Sequence, residues 1–447
     1  MSIILSLLAN IETKISKRSL KQLSHVIMGM LSGTGRITML GISRWTEKGG
    51  SYRTIQRFYN SIIPWMEIQW QFLRVCFIKA EGEYILAGDE TVVSKSGKET
   101  YGIDRFFSGL QKRVIRSISF FSFSLIDVKK GCSYPLQINQ IVKSAEEKAA
   151  SKAKREAAKS KPKRKRGRPK GSKNKINQEE KLNPELERIQ TWLKTVLDLV
   201  GSRIQLKYVA LDGHFGNHPS AKMVQELGLE LISKMRSDAS LFLQFDGEQK
   251  KRGRPKEYGE KIDLSNPPER YQKTTKTEGV LQTTIYQGLF LNKQFSDPIN
   301  VVIIVKTNTD TQRKSHVVLF STDPDLDHER LVRFYSLRFQ IEFNFRDAKQ
   351  YWGLEDFMNI NEVPVTNAAN LSLFMVNFSF ALMQSSRERD SDYSVLDLKA
   401  QFRGLRYASE LINILPNRPD NILLHRIFEQ IARLGAIHPV SSHIHST

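Results

Sequence analysis

The amino-acid sequence predicts an α/β fold, in which a β-rich insertion interrupts the core and helical regions stand at both ends. Two observations support this prediction. Two apolar, strand-like segments each end on an aspartate, at Asp89 and Asp212, and an amphipathic helix farther along carries Glu342 between cations. A chain of 447 residues is long enough for several domains, each with its own core.

The patterns along the chain suggest five segments. The first is a helical domain that is expected to bind DNA, and the second is the first part of the core, which carries a basic arm. The third is a β-rich insertion. The fourth is the last part of the core, and the fifth is a C-terminal helical region. The expected boundaries are 1–78, 79–240 with the arm at 143–181, 241–325, 326–385 and 386–447.

The charge of the chain is its most unusual bulk property. It carries 68 Lys and Arg against 47 Asp and Glu, a net charge of +21, which favours nucleic acid as the partner and an acidic membrane surface second. Two cysteines exclude a disulfide framework and a four-cysteine zinc site. The first apolar stretch lacks the features of a signal peptide, and no apolar run approaches about 20 residues. We therefore expect a cytoplasmic, nucleoid-associated protein with no membrane partner.

The first 78 residues have helical periodicity. Apolar residues are spaced by three and four over Lys21–Leu31, a short helix is expected over Ile37–Trp45, and Ser51 is a suitable N-cap for a helix that follows the Gly49-Gly50 break. A short helix, a glycine turn and a polar helix suggest a helix-turn-helix DNA reader. Its expected DNA contacts are Arg53, Gln56 and Arg57. The alternative is a plain helical bundle with arginines on its surface.

The pattern then changes to that of strands. Tyr84–Gly88 is predicted as a buried strand that ends on Asp89, and Ile204–Leu211 as a second one that ends on Asp212. Open α/β sheets present ligands at the carboxyl ends of their strands, so both acids are site candidates. Further strands are predicted over 114–127, 134–142, 229–234, 280–291, 300–306 and 315–321. Further helices are predicted over 184–199, 221–227, 327–351, 367–383 and 421–434.

Two basic strings interrupt the folded pattern. Between Lys143 and Lys175 there are 15 Lys and Arg against three acidic residues, which predicts a disordered or loosely helical arm. Lys163–Lys173 and Lys250–Lys256 both contain Arg-Gly-Arg-Pro and resemble AT-hooks. Glycine lets the backbone approach the floor of a narrow A·T minor groove, and arginines enter its negative potential. The arginines concerned are Arg166, Arg168, Arg252 and Arg254. The alternative is an ordinary polycationic run.

The helix predicted after the β segments concentrates charge on one side. At about 100° per residue, Tyr335, Arg338, Glu342 and Lys349 share a stripe roughly 60° wide, with Arg346 beside it. A carboxylate between cations suits a site where the acid binds a metal ion and the cations hold DNA phosphates. The alternative is a solvated face with i,i+4 ion pairs, such as Glu342 with Arg338 and Arg346.

The spacing Tyr-x2-Arg-x3-Glu-x6-Lys resembles the YREK signature of insertion-sequence transposases of family four, with Asp89 and Asp212 in the places of the family's first two acids. The resemblance covers roughly 84–357. It implies an RNase H-like core with a β-strand insertion, two Mg²⁺ or Mn²⁺ ions held by Asp89, Asp212 and Glu342, cleavage at the element ends and strand transfer. In this interpretation Tyr335, Arg338, Arg346 and Lys349 contact DNA. Two features depart from the family: the lysine-rich arm, and the lack of tryptophan between Leu241 and Thr322.

The resemblance also implies partners: the terminal inverted repeats of an element, a target DNA, and a second copy of the chain in a homodimeric synaptic complex. Two other interpretations stay open. A structure-selective nuclease of the same fold would share the active site but would not join DNA. A non-enzymatic, domesticated DNA-binding protein would keep the binding regions without the chemistry, and the presence of all three acids argues against it.

Overall fold

The computed structural model describes residues 2–46, 49–160, 182–249, 252–417 and 419–438. The first AT-hook-like string, with Arg166 and Arg168, lies outside this part of the chain, whereas Arg252 and Arg254 lie within it.

Helices form the N-terminal part, as predicted. They are α1 Ser2–Ala9, α2 Lys17–Ser32, α3 Met39–Ser43, α4 Tyr52–Tyr59 and α5 Trp65–Cys76. The Ser51 side chain accepts a hydrogen bond from the Thr54 amide and so caps α4, as its sequence position predicted. Helices α2 and α3 approach closely at Gly29, where an added Cβ would lie 2.7 Å from Ile42.

The first part of the sheet follows, together with three helices. Its strands are β1 Tyr84–Ser94, β2 Asp104–Ser108, β3 Arg113–Asp127, β4 Cys132–Ile141, β5 Tyr208–Leu211 and β6 Glu230–Lys234. The helices are α6 Ala145–Ser160, α7 Pro184–Val200 and α8 His218–Gln225. Strand β3 pairs antiparallel with β1, β2 and β4, whereas β1, β5 and β6 are mutually parallel neighbours. The α/β class predicted from the sequence is therefore confirmed.

The prediction that the first strand ends on Asp89 is wrong, because pairing with β3 continues β1 to Ser94 and leaves Asp89 within the strand. Strand β5 is shorter than predicted. It begins at Tyr208, because the Ile204 amide donates to the carbonyl of Val200 and continues the end of α7. Periodicity alone could not separate the apolar residues of this helix end from those of the strand.

The β-rich segment extends the same sheet. Its strands are β7 Leu241–Gln244, β8 Tyr258–Lys261, β9 Gln272–Glu278, β10 Leu281–Asn292, β11 Ile299–Asn308 and β12 Lys314–Ser321. Strand β12 pairs antiparallel with β6, and β11 and β10 continue outwards from it. Within the described residues the result is one 12-stranded mixed sheet, in which three residue pairs between β12 and β6 join the segment to the core.

The remaining chain is helical. Its helices are α9 His328–Arg338, α10 Gln340–Gln350, α11 Glu362–Arg389, α12 Val395–Ile414 and α13 Asn421–Ile431. The prediction of one long helix over 327–351 is wrong, because the chain breaks at Phe339 into α9 and α10. The Phe339 amide donates to Ser336 O at 3.2 Å and the Glu342 amide to Phe339 O at 3.0 Å. These i→i−3 bonds tighten the turn, so the angular stripe does not run evenly across it.

Helix α11 is long and apolar enough to cross a membrane by length and composition, which the sequence analysis did not anticipate. Its most apolar window is, however, 83% buried inside the protein. Polar side chains join it to the N-terminal helices: the Trp65 indole donates to Asn367 at 2.7 Å, and Asn377 donates to Gln69 at 2.9 Å. These features are those of a core helix.

Gly88 lies where β1 packs most tightly. An added Cβ would lie 2.7 Å from Leu211 and 3.0 Å from both Phe121 and Phe123. We expect Gly88→Ala to destabilise the fold by about 1–3 kcal/mol through overpacking, as measured by denaturant unfolding. Gly97→Ala is the control, because its added Cβ would meet only Thr100 at 3.8 Å. Equal stability of the two variants would contradict the prediction.

Candidate active site

The register of two parallel strands brings two carboxylates together. Gly88 of β1 is paired with Leu211 of β5, so the residues that follow, Asp89 and Asp212, lie next to each other on neighbouring chain segments. Asp89 Oδ1 accepts from its neighbouring amide at 2.8 Å. Asp212 Oδ1 accepts from the His214 amide at 3.1 Å and caps the short turn after β5. Each backbone thus orients its own acid.

The environment of Asp89 disfavours the charged form of its carboxylate. Burial raises the pKa of Asp89 to about 6, although the charge of Arg338 lowers it, and the nearby Asp212 raises it further. Two acids held side by side in a partly desolvated place favour a cation between or beside them. The arrangement is therefore poised to attract positive charge.

Arg338, at the end of α9, supplies positive charge in this structure. Its Nη1 donates to Asp89 Oδ2 at 2.9 Å and its Nη2 to Glu342 Oε1 at 3.4 Å. The Arg338 side chain is only 11% exposed, and its buried Nε has no hydrogen-bond partner among the described residues. The Arg338 guanidinium thus joins two of the three predicted acids, Asp89 and Glu342.

Helix α10 is tied to the sheet on either side of this contact. Lys349 Nζ donates to the carbonyl of Val92 on β1 at 3.0 Å. The buried Asn344 donates to Ser133 Oγ at 2.6 Å and to Ser124 Oγ at 3.3 Å. Because Glu342 lies on the same helix, these hydrogen bonds fix its position relative to β1.

The structure adds polar residues that sequence reasoning missed. Glu90 accepts a hydrogen bond from Ser119, and His214 forms an ion pair with Glu185 at 3.3 Å. Burial raises the pKa of Glu90, and the hydrogen bond with Glu185 raises that of His214. Glu90 could have been found, because it directly follows Asp89. Glu185 belongs to no recognisable motif, and only the packing of α7 brings it here.

These residues surround an open cavity of about 620 Å³. Asp89, Asp212 and Lys349 line it, together with Glu90, Glu185 and the hairpin that joins β2 to β3. Glu342 is not part of its lining; it reaches the group through Arg338. The lining of the cavity therefore contains both acidic and cationic side chains.

The donor set fits a divalent cation of the magnesium type. Carboxylate oxygens are the ligands that Mg²⁺ prefers, and Asp89, within β1, lies next to Asp212, which directly follows β5. In the described residues no three acidic, histidine or cysteine side chains are arranged to hold a metal ion as they stand. The Arg338 bridge explains why Glu342 is not grouped with the two aspartates, since the guanidinium stands between them.

The other members of the predicted helical stripe differ in their contacts. The Tyr335 ring lies 5.7 Å from the Arg338 guanidinium. Arg346 pairs with Asp347 at 3.0 Å and covers the Phe343 ring at 4.8 Å. Of the two i,i+4 pairs considered from the sequence, Glu342 with Arg338 forms and Glu342 with Arg346 is not among the ion pairs of the described residues.

The predicted DNA-binding residues outside this helix lie elsewhere on the surface. Arg53 donates to Gln56 at 3.2 Å on α4, and Arg57 is exposed on the same helix. Arg252 and Arg254 lie in the exposed loop between β7 and β8, where Arg254 pairs with Glu257 at 2.8 Å. The structure does not bring either group to the cavity lining.

Two carboxylates on neighbouring parallel strands, beside basic side chains on a large mixed sheet, are typical of nucleases that act on DNA with divalent metals. A family model described as DDE superfamily endonuclease matches residues 11–289, more than half of the chain, and the chain belongs to this family. The match includes Asp89 and Asp212 and ends before Glu342. None of the curated proteins compared with the chain matches it. The family implies DNA as the substrate and a divalent metal as the cofactor.

The position of α10 depends on Asn344. We expect Asn344→Ala to lower the stability by about 1–3 kcal/mol, because Ser124 and Ser133 lose a buried partner. Gln350→Ala, an exposed change on the same helix, is the control. Thermal and urea unfolding of both proteins measure the effect, and an Asn344→Ala protein as stable as the control would show that the helix is held by other contacts.

Proposed function

We propose that the chain is a DNA transposase of the DDE type, related to insertion-sequence family four, that cuts at the ends of an element and joins the 3′-OH ends to target DNA. One observation carries the proposal. The strand register sets Asp89 beside Asp212, and Arg338 of the YREK-like spacing links Asp89 to Glu342. An arrangement in which three separate chain segments converge on one point is hard to explain as a solvated surface.

The domain organisation of the proposal follows the sheet. The strands from β1 to β6, with α9 and α10, form the RNase H-like core, in segments 79–240 and 326–385. Residues 241–325 are the insertion, and 386–447 the C-terminal helical region. The continuous pairing of β6 with β12 supports an insertion that extends the core sheet.

Asp89, Asp212 and Glu342 would hold two Mg²⁺ ions, with Mn²⁺ as a substitute. When bound, the ions stabilise negative charge on the attacking and leaving oxygens of a phosphodiester. Arg338 and Lys349 orient the DNA backbone, since their cationic groups lie beside the acids and can hold phosphate oxygens. Tyr335 and Arg346 complete the contact with DNA.

Recognition of the terminal inverted repeats is assigned to residues 1–78, through Arg53, Gln56 and Arg57 on α4. The AT-hook-like strings add minor-groove contacts, through Arg252 and Arg254 and through Arg166 and Arg168. Transposition further requires a homodimer in the synaptic complex and a cytoplasmic, nucleoid-associated location. Exposure of the α4 and β7–β8 arginines supports these roles.

The first test removes each acid without changing its shape. We expect Asp89→Asn, Asp212→Asn and Glu342→Gln each to abolish Mg²⁺-dependent cleavage of DNA that carries the element's own ends, while DNA binding stays within about threefold. Glu81→Gln, an exposed change just before β1, is the matched control and should cut normally. Gel assays of cut and joined products measure both steps.

A variant that cuts at the control rate would remove its residue from the metal site. A wild-type protein that cuts but never joins would instead identify a structure-selective nuclease. Binding without any cutting, in Mg²⁺ or Mn²⁺, would favour the non-enzymatic DNA-binding protein.

The second test concerns phosphate contacts. Arg338→Ala and Lys349→Ala should each weaken binding and lower the dependence of log K on log salt by about 0.9, the value expected for one lost phosphate contact. Lys129→Ala is the control, because it changes an exposed lysine in the β3–β4 turn, beside the beginning of β1 rather than beside Asp89. Titrations at several salt concentrations give the slopes. Slopes equal to the control would leave these cations without a DNA role.

A further inference from the structure

A hairpin overhangs one side of the active-site cavity. Strands β2 and β3 are joined by the four residues 109–112, and the last pair before the turn is Ser108 with Arg113. Residues Phe107 to Gln111 line the same cavity as Asp89 and Asp212. The tip of this hairpin therefore stands beside the place where a scissile phosphate would lie.

The two faces of the hairpin differ because side chains alternate along a strand. Phe106 points inwards and is buried, with the Lys143 ammonium 4.3 Å from its ring centre. Phe107 is paired with Val114 on the opposite face, and both are exposed. The inner face thus anchors the hairpin, and the outer face leaves apolar groups in solvent.

The tip itself is apolar and exposed. Leu110 is 95% exposed and Phe107 is 61% exposed. Large apolar side chains that stay exposed at a loop tip are not buried by folding, so a cluster of them indicates a binding surface for a partner. The turn is nevertheless ordered: the Gln111 amide donates to Ser108 Oγ at 3.2 Å, and Arg113 Nε donates to Gln111 Oε1 at 3.1 Å.

Charge identifies the partner. Arg105 stands directly opposite Arg116 on the outer face, a like-charge pair that destabilises a hairpin unless an anion neutralises it. Lys112 and Arg113 add two more exposed cations, and none of the four forms an ion pair with a described residue. An apolar tip ringed by cations, beside acids that work on DNA, fits duplex DNA better than a second protein surface.

We propose that Phe107 and Leu110 insert between neighbouring base pairs of the DNA held at the cavity and kink the duplex next to the cut. The proposal rests on the proposed function. Apolar side chains used as wedges partly unstack a base step, and flanking cations hold the phosphates on either side. The kink moves the scissile phosphate towards the acids, whereas a straight duplex would hold this phosphate farther from them.

The test separates kinking from cutting. The protein is the full chain carrying Asp89→Asn, so that DNA binds without being cut, and the DNA carries a dye at each end and a fluorescent base analogue beside the cut. We expect the parent to shorten the dye distance and brighten the analogue. Adding Phe107→Ala together with Leu110→Ala should remove both signals. The control is Ile414→Ala, at a residue of α12 that is 76% exposed, and it should change neither signal.

Cleavage is measured in the otherwise wild-type chain. The double variant should cut fully paired DNA about tenfold more slowly, and a mismatch at the wedge step should restore the rate to within about threefold, since the step no longer needs to be opened. Leu110→Ala alone, at the most exposed position, gives a second variant whose folding the change leaves untouched.

Retention of both fluorescence signals in the double variant would overturn the wedge, as would an equal loss of cutting on paired and mismatched DNA. A change in sedimentation with unchanged kinking would overturn it too, by assigning the tip to contacts between copies of the chain. If the wild-type chain cut no DNA, the proposed function would fail, whereas the fluorescence comparison would still decide the wedge.

Discussion

The site depends on the parallel pairing of β1 with β5. Only this pairing, in this register, puts Asp89 beside Asp212. Burial is the main cause of the raised pKa of Asp89, the charge of Arg338 opposes it, and the nearby Asp212 adds to it. Gly88 makes the packing possible, because a larger residue would collide with Leu211 and two phenylalanine rings. The chemistry and the packing are therefore set at the same point of the sheet.

The third acid reaches this point by a different route. Glu342 lies on a helix, and its position depends on side chains that hold α10 to β1 and β3 through Lys349 and Asn344. The one-residue break at Phe339 separates this helix from α9. Arg338 at the end of α9 then spans the gap between Asp89 and Glu342. The Arg338 guanidinium thus pairs with two of the three acids that are proposed to bind metal.

The remaining architecture extends outwards from the same sheet. The β-rich segment continues it through β12, and the N-terminal helices pack with α11 and α12 on the core. Lys399 of α12 donates to Met30 O of α2 at 2.7 Å, which shows how closely the two ends of the chain are joined. The proposed DNA-binding helix α4 is thus part of the same packed body as the sheet, and the β2–β3 hairpin stands at the cavity itself.

The sequence by itself determined the features that depend on neighbours along the chain. Ser51 as a cap, Asp212 directly after an apolar strand, and most helices and strands follow from periodicity and from side-chain hydrogen bonds over a few residues. Tertiary structure decided the rest: the break at Phe339, the late start of β5 and the arrival of Glu185 beside His214. It also left Leu110 exposed at the cavity. These features depend on strand register and on packing between distant segments, which local periodicity does not encode.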